Sequence, residues 1–127
     1  MAKTTKELIA DATRNAHWID RAEAHQRFDQ GAVPVDVRED HEYEAGHLPN
    51  AIHISRGCLE FKIGNHPATQ DPNAELVLYC KGGGRTALAA QRLQEMGYTN
   101  VLALDEGYDG WVSAGEPVEG AATDEEE

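Results

Sequence analysis

Short apolar runs alternate with helix-length segments along most of this chain. The runs are rich in valine, isoleucine and leucine and have the length of a strand, which is typical of buried strands. The segments between them have helical periodicity and ordinary helix boundaries, such as Asp20 at one start and Gly31 at the matching end. Strands that alternate with helices pair in parallel, so the pattern predicts an α/β fold with an open, mostly parallel central sheet and helices on both faces. The predicted strands are residues 17–19, 32–37, 51–54, 75–79 and 101–104, and the predicted helices are residues 4–15, 21–30, 40–45, 86–96 and 108–115.

The remaining segments indicate how the chain is organised. We expect residues 1–16 to form an N-terminal helical extension, residues 17–119 to form one domain, and residues 120–127 to form an acidic, disordered tail. Residues 55–74 contain two prolines and lack a clear periodicity, so they are predicted to be the least regular part of the domain.

The chain is strongly acidic, with a formal net charge of −12 and an isoelectric point of about 4.8. This charge argues against binding to nucleic acid or to an anionic membrane surface. It does not argue against a small anionic substrate, because a local positive site acts at short range. The N-terminal segment lacks the apolar core of a secretory leader, and no run reaches the ~18 apolar residues of a membrane span. We therefore expect a cytoplasmic protein with reduced thiols.

Cysteine and histidine are too few or too scattered to suggest a scaffold or a metal site. The two cysteines, Cys58 and Cys80, cannot build a disulfide framework, and they do not form a C-x-x-C pair. The six histidines lack the spacing of zinc ligands. We expect neither a metal nor any other cofactor.

The stretch that carries chemistry is residues 76–93, LVLYCKGGGRTALAAQRL. An apolar strand ends at Cys80, and an alanine-rich helix follows a run of glycines. In parallel α/β sheets, ligands bind beyond the carboxyl ends of the strands, which is where Cys80 is predicted to lie.

The glycines after Cys80 allow the backbone to curl around a bound anion. Successive N–H groups of such a loop form an anion-binding nest, and the N-terminus of the next helix adds partial positive charge. Such settings lower a cysteine pKa from ~8.5 into the range of roughly 3.5–7.5. We therefore predict that Cys80 is a thiolate nucleophile. The predicted substrate-binding loop consists of Lys81, Gly82, Gly83, Gly84, Arg85 and Thr86.

The segment CKGGGRT resembles the active-site loop of the rhodanese family, C-x-x-G-x-R-[ST], at Cys80, Gly83, Arg85 and Thr86. VDVREDHEYEAGHLPNAIHI resembles the family's N-terminal signature, and LDEGYDGWVSAGEPV resembles its C-terminal signature. The three motifs occur in the family's order and together span about residues 33–118. The C-terminal motif departs from the pattern at Glu106, where the family often has glycine.

This resemblance implies a rhodanese-like α/β fold with a sheet of about five strands, and sulfur transfer through a persulfide on Cys80. A donor such as thiosulfate, or a protein persulfide, would load the cysteine, and cyanide or a small thiol would accept the sulfur. Arg85 would orient the anionic donor, with a structural salt bridge as the alternative role. In rhodanese-like domains the positions of Asp36 and Arg38 usually support the loop, although donor binding is an alternative for them as well.

Two other functions remain open from the sequence. Cysteine phosphatases and arsenate reductases also hold an oxyanion in a cysteine loop, but tyrosine phosphatases place five residues between cysteine and arginine, whereas four separate Cys80 from Arg85 here. A non-catalytic rhodanese-like binding or sulfur-carrier module is the second alternative. Cys58 is expected to pack as a small apolar side chain, the alternative being a resolving thiol that forms a disulfide with Cys80.

Overall fold

In a computed structural model, which describes residues 2–120, five parallel strands form one open sheet: β1 (Trp18–Ile19), β2 (Val33–Asp36), β3 (Ile52–His53), β4 (Leu76–Tyr79) and β5 (Val101–Leu104). Their order across the sheet is β1-β5-β4-β2-β3. The helices are α1 (Thr5–Asn15), α2 (Arg21–Asp29), α3 (Asp40–Ala45), α4 (Leu59–Lys62), α5 (Gly84–Glu95) and α6 (Gly107–Ser113). The predicted α/β fold with a mostly parallel sheet is confirmed.

The central strands are buried on both faces because helices cover both sides of the sheet. Alternate residues of β4 face opposite sides, as the pleat requires, and so belong to two separate cores. Leu76 and Leu78 pack with residues of α4 and α5, while Val77 and Tyr79 pack with residues of α2 and α6. This two-sided burial explains why the strands are continuous apolar runs in the sequence.

The structure differs from the sequence prediction most clearly at the start of α5 and in residues 55–74. Helix α5 begins at Gly84, two residues before the predicted start, because Gly83 (φ 158°, ψ −19°) makes the turn and its carbonyl accepts the first helical hydrogen bond, from the N–H of Ala87. The stretch 55–74 is more regular than predicted, since α4 lies there between two 3₁₀ turns. Leu59 and Ile63 explain this, because both are fully buried and their four-residue spacing requires a helical turn.

Side chains at the starts of α1 and α2 cap these helices. Thr4 and Glu7 form a capping box at the start of α1, and the carboxylate of Asp20 accepts a hydrogen bond from the N–H of Glu23 at the start of α2. Across residues 2–120, no helix combines the length and the apolar character needed to cross a membrane. Of the predicted acidic tail, residues 121–127 lie outside the part of the chain that the structure describes.

The strand order creates one crevice suited to a ligand. Strands β2 and β4 are neighbours, but β2 leads through α3 to β3 on one side, and β4 leads through α5 to β5 on the other. At such a topological switch point the connecting segments diverge, leaving a crevice beyond the carboxyl ends of the two strands. Val37–Glu39 and Cys80–Gly83 are the segments that leave β2 and β4 at this point.

Candidate active site

Cys80 follows the last residue of β4 and lies at this switch point. Its side chain is a free thiol with 1% of its surface exposed. Because β4 is a central strand with helices on both faces, the open direction at Cys80 is beyond the carboxyl end of the strand, where the loop lies. The loop that follows Cys80 therefore decides what reaches it.

That loop leaves a series of backbone donors unpaired. Within residues 2–120, none of the backbone N–H groups of residues 81–86 has a hydrogen-bond acceptor. The first N–H groups of any helix are unpaired, and here the glycine turn adds further donors directly after the cysteine. Six consecutive N–H groups are therefore available as donors to an anion bound at the loop.

Helix α6 holds the carbonyl groups of Cys80 and Lys81 in place. The N–H of Tyr108 donates to the carbonyl of Cys80 at 2.8 Å, and the N–H of Asp109 donates to that of Lys81 at 3.2 Å. This approach requires glycine at 107, where φ is +58° and a Cβ atom would lie 2.6 Å from both carbonyl oxygens. The N-terminus of α6 thus fixes the two peptide groups next to the reactive sulfur.

Thr86 places a hydroxyl in the same region. The residue is fully buried, and its Oγ1 atom has no hydrogen-bond partner in the part of the chain that the structure describes. A buried hydroxyl without a partner costs about 1–3 kcal/mol, so such groups are rare in folded proteins. An anion bound next to Thr86 would supply the missing acceptor.

Arg85 forms a two-point salt bridge with Glu42 of α3. Nη1 and Nη2 lie 2.6 and 3.1 Å from the two carboxylate oxygens. Hydrogen bonding to Arg85 lowers the pKa of Glu42 to about 2, against the opposing effect of partial burial. The pKa of Arg85 is raised by the same hydrogen bond and, to a smaller extent, by the negative charge of a Cys80 thiolate. Because Glu42 occupies both terminal nitrogens, the predicted role of Arg85 as the donor-binding group stays a prediction, and the alternative structural role has direct geometric support.

Asp36 and Arg38 form a buried ion pair at the end of β2. The Asp36 carboxylate accepts hydrogen bonds from Nε and Nη2 of Arg38 and, at 2.8 Å, from the hydroxyl of Tyr79, the residue before Cys80. Burial alone would lower the pKa of Arg38. The hydrogen bond to Asp36 and the charge of its carboxylate outweigh burial, so the pKa of Arg38 is raised. Arg38 also lies 4.0 Å from the ring centre of Tyr108 on α6. The pair therefore joins β2, β4 and α6 around the loop.

Two cavities flank the loop, and they differ in charge. The first, of about 280 Å³, lies on the α3 side and contains two cations and two carboxylates among its lining residues. It is lined by Arg38, His41, Glu42, Ala45, Lys81, Tyr108 and Asp109. Lys81 is exposed and pairs with Asp109 at 3.1 Å. The second cavity, of about 530 Å³, lies on the α1 side and is lined by Ile9, Thr13, Trp18, Gly82, Gly83, Gly84 and Asp105.

The comparisons with known proteins agree with this geometry. The model of the rhodanese-like domain family matches residues 20–114, which is most of the chain. The chain belongs to the rhodanese-like domain family. The rhodanese-like domain thus contains Cys80, the whole glycine loop, and the buried pair Asp36 and Arg38.

Solved structures support the family assignment over most of each relative's length. A human single-domain sulfurtransferase has 28% identity and a TM-score of 0.71, with 77% of this chain and 96% of that chain covered. A polysulfide-sulfur transferase homodimer from Wolinella succinogenes has 28% identity and a TM-score of 0.75, with 89% and 85% covered. A protein of unknown function from Rhodopseudomonas palustris, described as a possible tyrosine phosphatase, has 32% identity and a TM-score of 0.84, with 94% and 96% covered.

The structure brings together most of the residues that sequence reasoning proposed, and adds others. Residues Lys81–Thr86 directly follow Cys80, while Asp36 and Arg38 reach the same crevice from β2. Sequence reasoning missed the residues that come from other elements: Glu42, Gly107, Tyr108, Ile9 and Trp18. Glu42 carried a signal, because it is the glutamate of the N-terminal signature, whereas Ile9 and Trp18 lie before the matched region. The described residues contain no cluster of metal-ligating side chains.

Proposed function

We propose that this rhodanese-like domain is a sulfurtransferase that carries a sulfane sulfur as a persulfide on Cys80. The observation that carries the proposal is the run of unpaired N–H groups at residues 81–86, which directly follows a buried cysteine at the switch point. A thiolate and the outer sulfur of a persulfide are both anions that such a donor array stabilises. The human and Wolinella relatives, which are described as sulfur-transferring proteins, support the same chemistry.

The first half of the reaction loads the cysteine. The Cys80 thiolate attacks the outer sulfur of thiosulfate, a new S–S bond forms, and the bond to the sulfonate sulfur breaks. Sulfite leaves with that bonding pair, and the negative charge remains on the outer sulfur of the persulfide. The hydroxyl of Thr86 and the loop N–H groups act as donors to this charge.

The side of the loop that faces α3 supplies the proposed approach for the donor. Arg38 and Lys81 line the cavity on the α3 side, and the Arg85 guanidinium lies at the start of α5. Arg85 contributes its charge to the sulfur site while Glu42 fixes its position, so it acts through electrostatics and orientation. Asp36 and Arg38 are positioning residues, since they hold the ends of β2 and β4 together.

A donor assay tests the proposed function. With cyanide as the acceptor, we expect thiosulfate to give a higher kcat/KM than 3-mercaptopyruvate, because Lys81 and Arg85 make this loop cationic. A preference for 3-mercaptopyruvate would contradict thiosulfate as the donor while leaving sulfur transfer intact. A lack of thiocyanate from either donor would contradict the proposed function.

Phosphatase activity is the second candidate, because the Rhodopseudomonas relative is described as a possible tyrosine phosphatase. The loop argues against it in this chain, since four residues separate Cys80 from Arg85, one fewer than in tyrosine phosphatases. The terminal nitrogens of Arg85 are also paired with Glu42. We expect no hydrolysis of p-nitrophenyl phosphate above the rate of a Cys80→Ser variant. Hydrolysis that depends on Cys80 would favour phosphatase activity over sulfur transfer.

A further inference from the structure

The cavity on the α1 side of the loop is built from residues that the family match does not include. Ile9 and Thr13 belong to α1, and Trp18 to β1, all before residue 20, where the match begins. Asp105 follows β5 and completes the wall. We call this cavity the α1 groove; it is lined by Ile9, Thr13, Trp18, Gly82, Gly83, Gly84 and Asp105.

The walls of the α1 groove lie against the glycines of the loop. The Cδ1 atom of Ile9 lies 3.2 Å from the position that a Cβ atom would take on Gly84. The outer ring edge of Trp18 lies 3.6 Å from the corresponding position on Gly83. Glycine at 84 therefore leaves room for Ile9, and Trp18 lies within contact distance of Gly83, so two apolar side chains reach the backbone of the loop.

Hydrogen bonds and packing hold these walls in place. The indole N–H of Trp18 donates to the carbonyl of Thr13 at 3.0 Å, which fixes the ring against the end of α1. Ala12 is buried where α1 packs on α5, and Gln94 of α5 donates to the carbonyl of Asn15 at 3.3 Å. The α1 groove is thus a formed surface that includes the loop glycines in its wall.

The charge of the α1 groove differs from that of the cavity on the α3 side. Of the residues that line it in the described part of the chain, Asp105 is the one with a formal charge, and it is negative. The other cavity contains Arg38 and Lys81 together with the carboxylates of Glu42 and Asp109, so the formal charges of these four residues cancel. An anionic donor is therefore disfavoured beside Asp105 relative to the α3 side, whereas a molecule with a positive group is favoured beside Asp105.

We propose that the α1 groove binds the sulfur acceptor, and that this acceptor is a low-molecular-weight thiol with a positively charged group near its sulfur. This inference rests on the proposed sulfurtransferase function and deepens it. The acceptor thiol first gives its proton to the anionic outer sulfur of the Cys80 persulfide, and the resulting thiolate attacks that sulfur. A new S–S bond forms on the acceptor, the bond to Sγ breaks, and Cys80 leaves as the thiolate. The proton stays on the transferred sulfur. The ammonium group pairs with Asp105, while Ile9 and Trp18 contact the carbon chain.

Three thiols of similar size test this assignment. Cysteamine, 2-mercaptoethanol and 3-mercaptopropionate carry a positive, a neutral and a negative group at the same distance from sulfur. With saturating thiosulfate, and with kcat/KM expressed per concentration of acceptor thiolate, the order should be cysteamine, then mercaptoethanol, then mercaptopropionate. Equal values, or the reverse order, would overturn the assignment.

Charge variants distinguish the effect of the α1 groove on acceptor preference from the effect of the protein's overall negative charge. Asp105→Asn should lower the preference for cysteamine over mercaptopropionate by about three- to tenfold, the effect expected of one nearby charge in a partly solvated site. Asp29→Asn changes the net charge equally at an exposed position at the end of α2, and should leave the preference unchanged. Ile9→Lys should lower the preference in the same direction as Asp105→Asn, by placing a cation in the opposite wall.

The outcomes distinguish this inference from the function on which it rests. If the wild-type protein forms no thiocyanate from thiosulfate and cyanide, the proposed function itself fails. If thiocyanate forms but Asp105→Asn and Asp29→Asn change the thiol preference equally, the overall field accounts for the preference and the assignment of the α1 groove is wrong. An unchanged preference in both Asp105→Asn and Ile9→Lys, with both variants folded by circular dichroism, would also overturn it.

Discussion

The hydroxyl of Thr86 is buried beside the loop and lacks a partner among residues 2–120. In the resting protein this unsatisfied group destabilises the fold. A charged sulfur on Cys80 would accept a hydrogen bond from it. Thr86→Val keeps the side-chain shape and removes the donor. A hydrogen bond to a charged group contributes about 1.5–3 kcal/mol, so kcat/KM for thiosulfate should fall about 10- to 100-fold. The free energy of unfolding should stay the same or rise by up to about 1 kcal/mol.

Thr69→Val is the matched control for this change. Thr69 is also fully buried, but its hydroxyl donates to the carbonyl of Ile63 at 2.7 Å, far along the chain from the loop. This variant should lose about 1–3 kcal/mol of stability and retain its kcat/KM. The interpretation of Thr86 would be wrong if Thr86→Val were strongly destabilising or kept full turnover. Urea unfolding and the thiocyanate assay give both quantities.

At the scale of elements, the salt bridge between Glu42 and Arg85 links α3 to the start of α5. The bridge lowers the pKa of Glu42 from the ordinary value of 4.5 to about 2 in the folded state. The contribution of Glu42 to stability is therefore fully present above pH 4.5 and is lost as the pH falls toward 2. Glu42→Gln should lower the free energy of unfolding at pH 7 by about 1–2 kcal/mol, a discounted figure because Arg85 is about one-third exposed.

Unfolding at several pH values checks this expectation. The difference between wild type and Glu42→Gln should be constant from pH 7 to 5 and should shrink below pH 4.5. Glu44→Gln, which removes an exposed carboxylate from the same helix, should have little effect at any of these values. A difference between wild type and Glu42→Gln that does not depend on pH would mean that charge pairing is not what Glu42 contributes.

The contact between α6 and the loop gives a second prediction at this scale. Gly107→Ala would force a Cβ atom against the carbonyl oxygens of Cys80 and Lys81, in addition to the strain of a positive φ. Gly97→Ala has a comparable φ of +95° but open space around its Cβ position. Gly97→Ala should cost about 1–2 kcal/mol of stability with unchanged turnover, and Gly107→Ala about 1–3 kcal/mol more with reduced turnover. Equal effects of the two changes would show that α6 does not position the loop.

Elements were predictable from sequence where local pattern and tertiary packing agree. The strands β2, β4 and β5 are apolar runs because both of their faces are buried, and Cys80 was placed at a strand end for the same reason. Helix α4 was missed because it is four residues long and lies among prolines and glycines, so that only the burial of Leu59 and Ile63 defines it. The predicted start of α5 was two residues too late, because the turn at Gly83 depends on the conformation of the whole loop.

At the scale of the whole molecule, the active site is less predictable than the fold because its parts come from distant segments. The loop 80–86 is contiguous and could be recognised directly. The partners Glu42 and Tyr108, and the walls formed by Ile9 and Trp18, are brought to it by strand order and helix packing. Local periodicity does not contain that information. Local periodicity also could not show that both terminal nitrogens of Arg85 donate to Glu42.

The net charge of −12 affects the whole molecule, and it gives a prediction about salt. The negative field repels thiosulfate at long range, and salt reduces that repulsion because the Debye length is ~10 Å at 0.1 M. The cations of the loop act on the donor at short distance, where salt has less effect. Raising the ionic strength from low to moderate values should leave kcat/KM for thiosulfate unchanged or raise it up to about twofold. A steep loss would mean that the local positive charges dominate the encounter.

The proposed sulfur transfer requires that Cys80 alone carries the sulfur. Cys58 lies in a 3₁₀ turn and is partly exposed, whereas Cys80 precedes the unpaired N–H groups of the loop. Intact mass spectrometry after treatment with thiosulfate, without reductant, measures the claim directly. Wild type and Cys58→Ser should each gain the mass of one sulfur atom, and Cys80→Ser should gain none. An added sulfur on Cys80→Ser, or a folded Cys58→Ser variant that neither gains sulfur nor turns over, would contradict the account.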